Sequence, residues 1–219
     1  MLNKQQIQFC LDTMGEMFPE AHCELNHKNP FELVIAVSLS AQCTDALVNK
    51  VTASLFEKYK TPEDYLAVSL EELQNDIRSI GLFRNKAKNI RKLCQMLIEE
   101  YGGILPQDRD ELTKLPGVGR KTANVVVSVA FGIPAIAVDT HVERVSKRLG
   151  FCRWKDSVLE VEKTLMKKVP KEEWSVTHHR MIFFGRYHCK AQNPQCEICP
   201  LLEVCREGKK RMKGKEKVG

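Results

Sequence analysis

The chain of 219 residues has no long hydrophobic run, and nothing in it approaches the about 20 consecutive apolar residues that a membrane span requires. Its first residues, MLNKQQIQFCLDTMGEMF, form an amphipathic pattern, without the sustained apolar stretch of a secretory leader, so a cytoplasmic protein is expected. Alternating strands joined by hairpin turns are also missing, which argues against a β-sheet protein. No internal repeat or low-complexity tract precedes the last residues. The body of the chain carries little net charge. Of the formal +6, nearly all lies in residues 206–219, where Arg206, Lys209, Lys210, Arg211, Lys213, Lys215 and Lys217 outweigh Glu207 and Glu216. A polyanion-binding face elsewhere must therefore come from local clustering or backbone donors. The basic tail, 206–219, reads as a disordered, solubilising end.

Helix punctuation is what the chain does have. Asn29-Pro30, Thr44-Asp45 and Thr61-Pro62 each put a capping residue before a good first-turn residue, and Ser69 with Glu72 has the spacing of a capping box. From Arg84 to Tyr101, apolar residues recur at three- and four-residue steps and stop at Gly102-Gly103. Segments 139–149, 156–169 and 171–187 follow the same rule, so the predicted class is all-α. Gly132-Ile133-Pro134 interrupts any continuous helix and marks a crossing between two helical layers. The 43% hydrophobic content supplies one large core or two modest ones without disulfides. Cys10, Cys23, Cys43, Cys94 and Cys152 then read as reduced, scattered small hydrophobes.

The other four cysteines, Cys189, Cys196, Cys199 and Cys205, form a C-x6-C-x2-C-x5-C run. Soft thiolates at such spacing select an iron–sulfur cluster or zinc. Structural zinc usually takes two short knuckles set well apart, whereas one tight pair flanked by longer loops favours a four-iron cluster.

Residues 112–131, LTKLPGVGRKTANVVVSVAF, read as a short helix, a PGVG turn and an apolar helix. Gly117 and Gly119 let backbone amides approach another molecule, and the helix start that follows is an anion site; an ordinary turn between packed helices is the alternative. Lys121 lies in the first turn, where the dipole disfavours a cation. Partial burial there would favour the neutral amine, which can form a Schiff base; otherwise it is a surface lysine. Asp139 follows IPAIAV and precedes THVERVSKRLG, the position of a helix N-cap. A carboxylate held by backbone donors can also stabilise positive charge on a sugar ring. His141 reads as an exposed or capping histidine, with proton relay a lesser alternative.

LPGVGRKTA at Leu115–Ala123, VDTH at Val138–His141 and the cysteine run, in this order, resemble the helix-hairpin-helix DNA glycosylases, in the lysine-bearing, iron–sulfur branch of that family. The similarity runs essentially from end to end. It implies an all-α fold of two helical domains with the active cleft between them: a six-helix domain over 23–133 containing the hairpin, and a cluster domain from 1–22 plus 134–205. It also implies a monomeric base excision repair enzyme, nucleoid-associated if the source is bacterial, that acts on double-stranded DNA containing damaged bases or abasic sites. Such an enzyme removes oxidised pyrimidines and cuts the abasic strand by β-elimination through a Schiff base at Lys121, with Asp139 supporting charge and proton transfer. By the same resemblance Cys189, Cys196, Cys199 and Cys205 hold a [4Fe-4S] cluster. Gln42 fills the space left by the extruded base, and Leu82, a large apolar residue after Gly81, wedges the opposing strand. Gly117, Val118, Gly119, Thr140, His141, Lys190 and Asp45 are the remaining expected DNA contacts, although Asp45 reads equally well as a helix cap. Lys190 is the one basic residue between Cys189 and Cys196, so that contact is thin, and Cys43 stands where relatives often carry a small apolar residue. The rival readings are a non-catalytic iron–sulfur DNA-binding or redox-sensing protein, and a zinc-stapled interaction module.

Overall fold

The computed structural model describes residues 1–215. Over them the chain forms twelve α-helices, one 3-10 turn and one π-helical segment, with no strand among the described residues. It divides into two compact units, Cys23–Ile133 and Met1–His22 with Pro134 onward. Among the described residues no helix is long and apolar enough to cross a membrane.

Helix α1 (Lys4–Met17) starts at Asn3, whose side chain accepts from the Gln6 amide while Gln6 returns the bond. Its face of Ile7, Cys10, Leu11 and Met14 is buried with Ile136, Val138, Val142, Val145 and Phe151. Burial of that stripe places the helix in the unit that resumes at Pro134.

The central unit begins with α2 (Pro30–Ser40) and α3 (Asp45–Lys58), capped by Asn29 and Thr44. Two short helices, α4 (Pro62–Ala67) and α5 (Leu70–Asp76), lead to the long α6 (Phe83–Tyr101), against which both pack. The single turn α7 (Arg109–Leu112), capped by Asp108, and α8 (Arg120–Phe131) complete the unit, with α8 against α2. That makes seven helical segments, the one-turn α7 included, where the resemblance implies six. At Ser69 only half of the expected capping box forms. The Ser69 hydroxyl accepts from the Glu72 amide, but the Glu72 carboxylate goes to Lys58 Nζ at 2.7 Å, which also reaches Asp76.

The other unit continues with α9 (Thr140–Leu149), α10 (Val158–Lys168), a 3-10 turn at Lys171–Glu173, α11 (Trp174–Phe183) and the π segment Phe184–His188. The tail departs from expectation. As far as Lys215 it is a helix, α12 (Arg206–Lys215), in place of a disordered end. Its start is tied to the cysteine loop: the Lys209 amide donates to the Cys205 carbonyl, the Gly208 amide donates to Cys205 Sγ, and Glu207 pairs with Arg211 one turn on. Residues 216–219 lie outside the described residues.

No disulfide forms among the described residues. Burial pushes the Cys10 and Cys94 thiols up to about 12 and that of Cys152 up to about 11, so these three pack as inert hydrophobes.

Candidate active-site residues and cysteine loop

In the hairpin the chain turns at Gly117 with φ +81°, and a Cβ there would sit 3.0 Å from Asn89 Cβ on α6, so the close approach of α6 requires glycine. The Val118 side chain is buried and its amide donates back to the Leu115 carbonyl. Gly119 is the N-cap of α8, makes no side-chain cap, and has open space where a Cβ would lie. The helix start is thus approachable from outside. Residues Ala123–Ser128 turn inward, which leaves Arg120 and Lys121 on the exposed first turn. Lys121 is exposed, the surface-lysine alternative rather than the partly buried one, because the apolar face of α8 begins two residues later.

Gln42 and Leu82 share a feature that no motif announces. Both adopt left-handed backbone, at φ 58° and 59°, and with Asn193 they are the three non-glycine residues described that do so. Such a conformation costs about 1–3 kcal/mol and collects at functional sites. Both side chains are exposed, Leu82 at 58%. Their loops abut: a Cβ on Gly81 would lie 3.7 Å from the Gln42 carbonyl oxygen and 3.6 Å from Cys43 Sγ. Asp45 is the first residue of α3, and the cap belongs to Thr44, whose hydroxyl accepts from the Leu47 amide, so the capping alternative for Asp45 is withdrawn.

In the other unit the buried run Ala135–Val138 delivers Asp139 to the start of α9. Its Oδ1 accepts from the His141 and Val142 amides, each at 2.8 Å, which locks the carboxylate at the helix N-terminus. Thr140 is exposed. His141 is half-buried rather than exposed, one of the two alternatives its sequence position left open; Arg144 Nη2 donates to its Nδ1 at 3.0 Å, because a guanidinium can only donate. Burial, with Arg144 and Arg186 nearby, holds this imidazole below its ordinary pKa against the opposing pull of Asp139. Gly185 is needed beside it, since a Cβ there would meet His141 Cβ at 3.0 Å and Val145 Cγ2 at 3.1 Å.

Two arginines that the sequence reading did not single out organise the cysteine loop. Arg144 donates to the carbonyls of Gly185 and Cys189, and buried Arg148 to those of Cys189, Lys190 and Ala191, with its Nη1 3.5 Å from Cys189 Sγ. Their i, i+4 spacing on α9 was the available signal, and it reads equally as a solvated face. Lys190 itself is exposed. Cys189, Cys196, Cys199 and Cys205 all line one small cavity with Leu149, Phe184 and Leu202. Among the described residues no three thiol, imidazole or carboxylate groups are gathered as a single ion would require. Four thiols around a shared apolar cavity suit a cluster whose iron atoms take one thiolate each.

A family model described as HhH-GPD superfamily base excision DNA repair protein matches residues 35–171, and one described as the iron-sulfur binding domain of endonuclease III matches residues 189–205. Fold and hairpin thus define a base excision DNA repair protein of the helix-hairpin-helix class. The chain is 80% identical to endonuclease III of Bacillus subtilis over 97% of each chain, and 47% identical to that of Escherichia coli K12 over 93% of this chain and 96% of the other. A solved structure titled as a trapped endonuclease III–DNA covalent intermediate, an estranged-adenine complex, superposes with a TM-score of 0.95 at 81% identity, covering 97% of this chain and all of that one. The chain belongs to the endonuclease III family. Its cofactor is a [4Fe-4S] cluster, which the chemistry and placement of the four thiols fit.

Proposed function

We propose that Lys121 is the nucleophile and Asp139 the charge-stabilising carboxylate of this enzyme. The enzyme excises oxidised pyrimidines from DNA and then cleaves the abasic strand, as a bifunctional DNA N-glycosylase and AP lyase. The observation that carries the residue assignment is the setting of Lys121: an exposed amine on the first turn of a helix whose start is open and lacks a side-chain cap.

The target nucleotide must leave the base stack to be reached, at a cost of a few kcal/mol that is smallest for a damaged pair. Gly119 and the start of α8 bind a backbone phosphate, while Thr140, His141, Lys190 and Asp45 add polar contacts. Gln42 occupies the vacated space, and Leu82 wedges against the bases of the opposing strand. The Lys121 amine then bonds to C1′ as the C1′–N glycosidic bond breaks, and the base departs with the bonding pair and takes up a proton. Asp139 stabilises the positive charge that builds on the sugar. The ring opens to an imine, whose acidity lets the C2′ proton leave, and the electrons released expel the 3′ phosphate oxygen. Water hydrolyses the imine and frees Lys121.

The cluster, when bound to Cys189, Cys196, Cys199 and Cys205, supplies iron–thiolate bonds that cross-link the loop. Arg148, Arg144 and the Gly208 amide hold that loop from outside. The enzyme works as a monomer on chromosomal DNA in the bacterial cytoplasm.

Borohydride reduction in the presence of DNA carrying an oxidised pyrimidine should trap a covalent adduct. Lys121→Gln should bind the same DNA without trapping. Trapping by that variant at the normal level would end the assignment. A non-catalytic iron–sulfur DNA-binding or redox-sensing protein would give no adduct at all, and the family membership does not favour that reading.

A further inference from the structure

We infer that Lys86 and Cys43 are positioning residues that fasten the Gln42 and Leu82 loops into one preformed insertion device; this rests on the reading of those two residues as gap-filler and wedge.

Lys86 projects from the first turn of α6, yet it is buried, at 8% exposure. Its Nζ donates to the carbonyl oxygens of Leu39 at 2.8 Å and Ala41 at 2.6 Å, which close the C-terminal end of α2, and lies 3.7 Å from Cys43 Sγ. An amine is favoured at a helix C-terminus, where carbonyls lack intrahelical donors. Cys43 Sγ in turn accepts from the Gly81 amide at 3.3 Å. The side chains of Lys86 and Cys43 therefore bridge the turn that carries Gln42 and the turn that carries Leu82.

Each bridged turn contains one left-handed, non-glycine residue with an exposed side chain. Such residues persist only where their surroundings over-determine them. Neither Gln42 nor Leu82 is held by its own packing, and Leu82, as N-cap of α6, makes no side-chain cap bond. Their constraint comes from the neighbours: Ala41 and Cys43 flank Gln42, Gly81 precedes Leu82, and all three are fixed by Lys86 or Cys43. A device ordered before DNA arrives avoids the entropy cost of ordering on binding. A small apolar residue at position 43 would leave the Lys86 bonds to the Leu39 and Ala41 carbonyls intact and remove the sulfur's contacts with Gly81 and Lys86.

The test uses the full-length, cluster-loaded protein and duplex DNA with a tetrahydrofuran abasic analogue opposite 2-aminopurine, whose fluorescence rises when the opposing base is unstacked. At saturating enzyme, Lys86→Met should lose at least half of the fluorescence rise and bind about tenfold more weakly, with the cluster absorbance unchanged. Cys43→Ala should produce a smaller loss in the same direction. Lys86→Met combined with Leu82→Ala should be no dimmer than Leu82→Ala alone, because the tie acts through the wedge. Full fluorescence in both Lys86→Met and Cys43→Ala, or independent addition of the Lys86 and Leu82 effects, would overturn the inference while leaving the wedge reading intact. Undiminished fluorescence in Leu82→Ala would overturn both. Should Lys86→Met fail to fold, Cys43→Ala decides alone: reduced fluorescence supports the tie, and full fluorescence overturns it.

Discussion

Arg148 Nη1 donates to the Lys190 carbonyl oxygen at 2.6 Å, and the same nitrogen lies 3.5 Å from Cys189 Sγ. One buried guanidinium on α9 thus sets the backbone of the loop that must present a thiolate to the cluster. Replacing it by methionine would keep most of the volume, leave the Lys190 and Ala191 carbonyls without their charged donor, and leave the Cys189 carbonyl with Arg144 alone. Arg148→Met should lower stability by about 2 kcal/mol or more and speed iron loss to a chelator, read from the decay of visible absorbance.

Gly185 faces His141 and Val145 at distances a side chain cannot share. Gly185→Ala should push the π segment away from the start of α9 and cost about 1–3 kcal/mol. Thermal unfolding should fall by about 2–4 °C per kcal/mol for a chain of this size. The AP-lyase rate should fall too, if Asp139 is held where its chemistry needs it.

Leu82 is 58% exposed and sits at φ 59°. Substitution by glycine removes little buried surface and relieves a backbone that costs a branched-chain residue about 1–2 kcal/mol, offset by the greater freedom of unfolded glycine. Leu82→Gly should therefore leave stability within about 1 kcal/mol of the parent. Base excision should nevertheless drop by an order of magnitude or more in single-turnover assays. Equal loss of stability and activity would mean that Leu82 serves the fold rather than the reaction.

His179 is pushed down to about 3 by burial, with His178 and His22 adding to the effect. The unfolded chain takes up this proton near the ordinary histidine value of about 6.5, whereas the folded chain refuses it until far lower. Stability from this group is complete above about pH 6.5 and is lost as pH falls from there toward 3. Urea midpoints measured between pH 8 and pH 4 should decline, and His179→Gln should flatten that decline.

DNA affinity should fall steeply with salt if the hairpin and its neighbours bind phosphates, since each neutralised phosphate releases a counterion. Lys190→Ala should weaken binding modestly and reduce the slope of log K against log salt by about 1. Lys190→Gln should behave in the same way.

Helix positions could be read along the chain because their causes are local. Asn29, Thr44, Thr61 and Ser69 each accept from the amide three residues on, and the stop at Gly102 needs only its own left-handed backbone. The cysteine run was legible for the same reason, as its ligands lie within one short loop. The roles proposed for Lys121, Asp139, Gln42 and Leu82 rest on family resemblance, since each residue by itself also fits a bland reading.

Long-range partners carried no such local signature. Lys86 finds carbonyls more than forty residues away, Arg148 closes on a loop equally distant, and Glu72 leaves its own helix cap for Lys58. Burial of α1 with the later helices and the helical tail likewise depend on surfaces that meet only in the folded chain. Local hydrogen-bond geometry is written in neighbouring residues, whereas burial and reach are set by which distant surfaces the fold brings together, and those choices belong to the tertiary structure.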